Sequence, residues 1–521
     1  MTTRSQINGS NPASGPRRSN AWEIHWHVRI LEPNPIEDTA AMEIHVTIVG
    51  RDDLSGQIYR QLRAGIVDGR LAAGERLPST RDLATQLGVS RKTTLDVFER
   101  LINEGYLRSR PGDGTFVAQG LTRVPTRPAQ TTRHQAEIQA IWSSMPVQLA
   151  MPVHGVRYPL DFLGGVTDKR HFPFDAWRRC INHALRLQAR GRGEYRDPAG
   201  EQELRLAVSR YLAFSRAVLS NWQDVIVTQG AQQAIDLTAR VVLRPGDVVA
   251  VEEPGYPPAR AAFTALGAKI VGVPVDEHGL IVDQLPRQAR LVYVTPSHQF
   301  PLGMPMSLER RVALLEWAQQ RGAVILEDDY DGEFRFEGRP MESLKSLDRA
   351  GLVAYVGTFS KTIFPELRVG YVVPPLSLNE SIRKAKQIGD WHTCTLTQTA
   401  LAKFMLDGDF AKHLRRIHKH YEDRRRTLAE CLRGDLGKWF EPLIPAAGIH
   451  MTALLKGSLE ERQLTHGAID PSIGLYGISA FYMNQPAKSG LIFGYGGIDT
   501  ADIETAMAKL KARLSGGTFG A

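Results

Sequence analysis

Val353–Tyr371 reads V-A-Y-V-G-T-F-S-K-T-I-F-P-E-L-R-V-G-Y, and the acidic run Glu327-Asp328-Asp329-Tyr330 stands just upstream of it. The apolar run Val353 to Val356 ends in small hydroxyl residues, followed by one lysine, Lys361, and then by Arg368. That order suits an aldehyde cofactor carrying a phosphate, with Lys361 as the amine for a Schiff base and Thr358, Ser360 and Arg368 as phosphate ligands. Val324-Ile325-Leu326 reads as a buried strand ending in carboxylates, which places an acid at the carboxyl edge of an α/β sheet. An aspartate held there keeps a pyridine nitrogen protonated and makes the ring an electron sink. Either piece taken alone also reads as a surface Ser-Lys turn or a solvated acidic loop.

Together the two pieces resemble the cofactor site of a fold-type I, pyridoxal-phosphate-dependent aminotransferase. The chain is most similar to the MocR/GabR branch of regulators, which join such a domain to a GntR-type DNA-binding domain. The resemblance runs from about Leu54 to the C-terminus. It implies pyridoxal 5'-phosphate as cofactor, Lys361 as its Schiff-base lysine, Asp328 on the pyridine nitrogen and Tyr330 on the phenolic oxygen.

A chain of 521 residues exceeds one ordinary domain, so two domains and a linker are expected. Its 42% hydrophobic and 23% charged content are those of a soluble globular protein. Cys180, Cys394 and Cys431 are odd in number, far apart and without metal-ligand spacing, which argues for a reducing cytoplasm, against a disulfide framework and against a metal site. No run approaches the roughly 18 apolar residues of a membrane span. The formal charge of +8 permits nucleic-acid binding without establishing it.

Residues 1–50 open on a Ser/Asn/Gly/Arg-rich stretch that lacks the apolar content to fold alone, and Met42 is a candidate natural start. Within 51–118, Leu54, Ile58, Leu62 and Ile66 recur at helix spacing. Ser79 then caps a short helix to Leu87, Gly88-Val89 turns, and Ser90 caps a second helix to about Glu104. Tyr106 to Val117 reads as two short strands around Pro-Gly-Asp-Gly. The segment resembles a GntR-class winged helix-turn-helix, which implies double-stranded operator DNA as partner. The resemblance puts Arg81, Ser90, Arg91, Thr93 and Thr94 at the DNA and Arg110 and Gly114 on the wing. Residues 119–158 read as a linker with one helix near Ala136 to Trp142.

From 159 to 521 the pattern is that of the aminotransferase-like domain, with a mostly parallel sheet and a small C-terminal α+β subdomain from about 375. Tyr195, in Y-R-D-P-A-G, implies contact with the cofactor phosphate of a neighbouring subunit, and hence a homodimer. Gly230, Ala231 and Gln232 stand where a strand turns into a helix and would offer N–H groups to the phosphate. Tyr256 resembles the aromatic residue that stacks on the pyridine ring. Thr295-Pro-Ser-His-Gln-Phe-Pro-Leu-Gly303 resembles the family's turn but holds no asparagine for the phenolic oxygen, leaving His298 or Gln299 to take that place.

The pattern departs at Ser489–Tyr495, where Ile492 takes the position of the carboxylate-binding arginine of ordinary aminotransferases. The sequence therefore reads as a cytoplasmic, dimeric transcription regulator whose aminotransferase-like domain senses pyridoxal phosphate, an amine or their adduct. Slow half-transamination is the expected limit of its chemistry. The alternatives are a working aminotransferase with an accessory DNA-binding domain and a silent domain kept for dimerisation, the last disfavoured by Lys361, Asp328, Tyr330 and Arg368 occurring together.

Overall fold

A computed structural model describes residues 46–48, 50, 52–119, 139–145, 158–338, 342–484 and 488–516. The expectations for Met42 and for most of the N-terminal extension and linker fall outside these residues. The chain divides into two compact units, Met1–Ala136 and Glu137–Ala521.

In the first unit, helix Leu54–Val67 places Ile58, Leu62 and Ile66 on one face, buried against Val97, Phe98 and Leu101 of helix Arg91–Asn103 and Leu83 of helix Thr80–Leu87. Each fully buried aliphatic or aromatic side chain contributes roughly 1.5–3 kcal/mol here. Ser79 Oγ accepts from Asp82 N at 3.2 Å and Ser90 Oγ from Thr93 N at 3.1 Å, so each helix starts on a side chain that satisfies an otherwise open amide. The wing is Leu107–Arg110 antiparallel to Gly114–Val117. A third strand, Arg76–Leu77, pairs with Phe116 and Thr115; at two residues it is too short to leave a periodic signal in the sequence. In the second unit, the described part of the linker holds a short helix, Ala140–Ser144.

The second unit is built on an eight-stranded sheet in the spatial order 226–228, 370–373, 353–358, 324–329, 289–294, 248–253, 269–276, 279–280. Strands 353–358, 324–329, 289–294, 248–253 and 269–276 are mutually parallel. Strand Gly370–Val373 runs against both its neighbours, and Gly279–Leu280 against Val275–Asp276. The central strands are apolar on both faces because helices cover both: Val227, Tyr355 and Tyr371 pack in one cluster, Ile226, Leu326, Ala354 and Val356 in another.

Helices Leu376–Asp390 and Thr395–Leu406 pack on this sheet through Ile382, Leu401 and Phe404. Helix Asp409–Arg433 leads to a four-stranded antiparallel sheet ordered 440–443, 450–455, 490–494, 476–477. Ile417, Tyr421, Leu428, Met451, Ala453, Leu491, Phe493 and Leu510 form its core. Leu160–Asp161 pairs in parallel with Ile473–Gly474, which ties the start of the unit to its C-terminal part. Among the described residues no helix is long and apolar enough to cross a membrane.

Candidate cofactor site and nucleic-acid interface

The acidic run is sorted by strand alternation. Glu327 and Asp329 point to one face, where Glu327 accepts from the amides of Leu344 and Lys345 at 2.8 Å and Asp329 meets Arg216 at 2.5 Å and Tyr355 at 2.6 Å. Asp328 points to the other, where Tyr293 donates to its Oδ2 at 2.8 Å. Its Oδ1 is buried without a partner. Burial, with the neighbouring charges of Asp329 and Asp331, pushes this carboxyl up to about 7 against the lowering effect of Tyr293 and Lys361.

Lys361 follows the strand Val353–Thr358 and donates to Gly165 O at 3.1 Å. Gly165 has φ +79°, which favours glycine, and a Cβ there would lie 2.6 Å from Lys361 Nζ and displace the amine. Burial lowers the pKa of the lysine, with Arg368 acting the same way, while Asp331 and Asp328 oppose the shift.

The expected phosphate ligands gather at the N-terminus of helix Ala231–Val242. Arg368 Nη2 donates to Gln229 O at 2.9 Å, and a Cβ on Gly230, at φ +82°, would lie 2.8 Å from the same nitrogen. Gly370 pairs with both Thr228 and Thr358, which brings the ends of these three strands together. Thr358 Oγ1 donates to Ser360 Oγ at 3.0 Å. Gln232 sends its side-chain amide to Pro258 O at 2.9 Å, leaving its backbone N–H at the helix start. A buried cluster that no local pattern announced holds this helix start in place. Lys386 bonds Asp390 at 2.8 Å and 2.9 Å, Thr393 at 3.2 Å and Gln233 at 3.3 Å, and Asp390 in turn accepts from Gln229 and Gln233.

Tyr256 stands edge-on to Phe300, with centroids 5.6 Å apart, and burial beside Asp328 pushes its hydroxyl up to about 12. Tyr330 donates to His298 O at 3.0 Å. The alternatives at the asparagine-less turn separate. Gln299 is consumed by the turn itself, donating to Pro254 O and Phe300 O and accepting from Leu302 N at 3.0 Å. His298 bonds Asp331 through Nδ1 at 3.0 Å and keeps a buried Nε2 without a partner. His450, Asp331 and Gly165 escaped sequence reasoning, since their relation to Lys361 arises only from the tertiary fold.

Ile492 is fully buried, packed with Phe300, Leu302, Ile478 and Phe481. Tyr195 is 74% exposed and lies on Trp391 at 4.4 Å between ring centroids.

In the first unit, Arg81 and Arg91 are exposed at the starts of their helices. Ser90 Oγ lies 2.8 Å from Thr93 Oγ1 and caps the helix, so both hydroxyls have local work. The expectation for Thr94 is corrected: its side chain is buried, and Oγ1 donates to Thr80 O at 2.7 Å and Arg91 O at 3.0 Å. It locks one helix against the other because position 94 falls on the inward face with Val97 and Phe98. Arg110 lies over the Phe116 ring at 4.9 Å, and Gly114 faces Arg76 across the wing.

The unpartnered Asp328 oxygen, the enclosed Lys361 amine and the glycine-lined helix start capped by Arg368 fit a pyridoxal phosphate molecule, whose ring nitrogen, aldehyde and phosphate need those three kinds of group. Comparison with known proteins agrees. The profile of aminotransferase class I and II matches residues 165–510, and that of bacterial regulatory proteins of the gntR family matches 54–117. The chain is 36% identical over 459 residues to the "Probable rhizopine catabolism regulatory protein MocR" of Rhizobium meliloti, covering 88% of this chain and 92% of that one. It is 30% identical over 461 residues to the HTH-type pyridoxine biosynthesis transcriptional regulator PdxR of Corynebacterium glutamicum, covering 88% and 95%. Among solved structures, the kynurenine aminotransferase of Pyrococcus horikoshii superposes with a TM-score of 0.67 at 27% identity, over 74% of this chain and 98% of that one.

Proposed function

We propose, for a chain that belongs to the class I and II aminotransferase family and carries a gntR-family domain ahead of it, that it is a pyridoxal-phosphate-dependent, DNA-binding transcription regulator of the MocR type. Residues 51–118 serve as the DNA-binding module, 119–158 as the linker and 159–521 as the effector domain. The observation that carries the reading is the meeting of Lys361, the unpartnered Asp328 oxygen and the Gly230–Arg368 helix start in a chain that also holds a capped helix-turn-helix with exposed Arg81 and Arg91.

Each side chain has a share in holding the cofactor. Lys361 attaches it. Asp328 keeps a proton on the ring nitrogen, Tyr256 covers one face of the ring, and Tyr330 with His298 flanks the phenolic oxygen. The backbone N–H groups of Gly230, Ala231 and Gln232, with Thr358, Ser360 and Arg368, neutralise the phosphate; a helix N-terminus and a guanidinium are both suited to a dianion. Tyr195, exposed in its own subunit, completes the phosphate site of a partner in a homodimer. Bound there, the cofactor supplies an aldehyde carbon that exchanges amines and a ring that withdraws electrons. On the DNA side, Arg91 and Arg81 reach the operator from the two helix starts, while Arg110 follows the backbone from the wing. The regulator acts in the cytoplasm, with the DNA it binds.

Regulation requires that the cofactor site and the DNA-binding module share two arrangements that a ligand prefers unequally, and a coupling of about 1–3 kcal/mol suffices for a switch. The test is operator affinity for cofactor-free protein, cofactor-loaded protein and Lys361→Ala. The expected outcome is a several-fold difference between the first two and no response to cofactor in the third. Equal affinity in all three, together with rapid multiple-turnover transamination, would replace this reading with the working enzyme, a reading that the buried Ile492 disfavours.

A further inference from the structure

We propose that the ligand admitted to this site is a primary amine with an apolar or aromatic frame and no carboxylate. The proposal rests on the reading that Lys361 carries pyridoxal phosphate.

Strand alternation makes the first part of the case. Leu491 and Phe493 turn into the core of the small sheet, whereas Ile492 between them turns the other way, into a cluster with Phe300 and Phe481. Ile492 pairs with Thr452, and His450, two residues before it on the same strand, shares that face. Phe300 is the hub: its ring lies 5.6 Å from Tyr256, 6.2 Å from Tyr330, 5.6 Å from His450 and 4.9 Å from Phe481. Tyr256 and Tyr330 are two of the residues assigned to the cofactor. The wall that joins Ile492 to Tyr256 and Tyr330 is therefore aromatic and aliphatic.

Charge makes the second part. Asp331 and Asp328 favour a positive charge at Lys361, and the Arg368 guanidinium opposes it. Arg368 is committed to the phosphate end through Gln229 and Gly230. His450 is held neutral by burial and by the proximity of His298 and Lys361, and it spends Nε2 on Pro301 O at 3.2 Å. A ligand carboxylate would then be taken from water against an apolar wall, with two carboxylates nearby and Arg368 held at the other end of the site. An arriving ammonium meets the opposite field. A site selects as strongly by what it leaves unpaired as by what it contacts.

Exchange of such an amine for Lys361 forms one carbon–nitrogen double bond and breaks one. With the Schiff base protonated before and after, two of the three ammonium protons pass to Lys361 Nζ, which leaves as an ammonium, and the exchange consumes neither water nor an oxidant.

Phenethylamine and L-phenylalanine differ only in the carboxylate, so they isolate it. The full-length protein loaded with pyridoxal phosphate is titrated with each, following the cofactor's absorbance and, separately, the melting temperature. Phenethylamine is expected to half-saturate both signals at a concentration at least about tenfold below that of L-phenylalanine, a modest value for an unpaired buried charge. Ile492→Arg is expected to narrow or reverse the preference. Equal or tighter binding of L-phenylalanine by the unaltered protein overturns the proposal while leaving the cofactor reading intact. A folded Ile492→Arg protein with unchanged preference overturns the assignment of Ile492 as the selecting residue. Protein that takes up no pyridoxal phosphate overturns both readings at once.

Discussion

Arg81 and Arg91 stand in solvent on helices whose starts are tied down by Ser79 and Ser90, whereas Asp328, Asp331, His298 and His450 each keep less than a twentieth of their surface exposed. In the helix-turn-helix the exposed side chains and the fold-holding side chains are different residues: Thr94, Val97 and Phe98 hold, and the arginines stand in solvent. Around Lys361 the two duties fall on the same residues, because a polar group inside a low-dielectric site must be paired whether or not it does chemistry. Substitution should therefore separate function from stability in the first region and mix them in the second.

The largest effect is expected at Lys361. Lys361→Ala should abolish covalent retention of pyridoxal phosphate outright, read as the absence of a borohydride-reduced pyridoxyl peptide. A pyridoxyl group found on another lysine of the unaltered protein would break the assignment.

Asp328→Asn comes next and tests the mixing directly. The native carboxyl sits at about 7, above its ordinary value near 3.9, so the folded state holds a proton that the unfolded state releases between those values. Cofactor-free protein should accordingly lose stability as pH rises from about 4 through about 7, by up to roughly 4 kcal/mol from this group. The asparagine variant should show a shallower loss in denaturant unfolding between pH 5 and 8. Identical slopes would mean that Asp328 is not the residue responsible.

Arg91→Ala should cost about 1–3 kcal/mol of specific operator binding at fixed salt while leaving the melting temperature in place. Loss of affinity accompanied by loss of stability would erase the contrast between the two regions. Smallest of all, Ser90→Ala should lower the stability of the first unit by about 1 kcal/mol through its cap. A variant with unchanged unfolding midpoint would show that Ser90 Oγ is free for DNA.

The same contrast governs what the sequence could disclose. Ser79 and Ser90 accept from amides three residues on, and the Gly88 N–H donates to carbonyls three and four residues back, so caps and turn were readable in order along the chain. Thr94 is misread from the sequence because its neighbours Arg91 and Lys92 are exposed while its own position on the helix turns inward to Thr80. Lys361, Asp328 and Ile492 were legible because strand, acid and lysine keep a recognisable order. The partners that decide their behaviour come from far along the chain: Gly165 is 196 residues from Lys361, and Asp331 is 33 from His298. Nothing local marks Lys386 as a buried partner of Gln233 in helix Ala231–Val242, since a lone lysine in a helical stretch ordinarily reads as a solvated one.

Enclosure of the Lys361 amine has a kinetic meaning. A lysine with the ordinary pKa near 10.4 presents only about one amine in a thousand as free base near neutral pH, and only the free base attacks an aldehyde. Lowering the pKa of Lys361 enlarges that fraction without any neighbouring catalyst. Lys386 is lowered by burial too, but its nitrogen is engaged by Asp390, Thr393 and Gln233 and has no lone pair to spare. Under the proposed reading, in a chain with many surface amines competing for a scarce aldehyde, the winner would be set by speed as well as by fit: a lowered pKa would favour capture by Lys361, and the groups gathered at the helix start would keep the cofactor there.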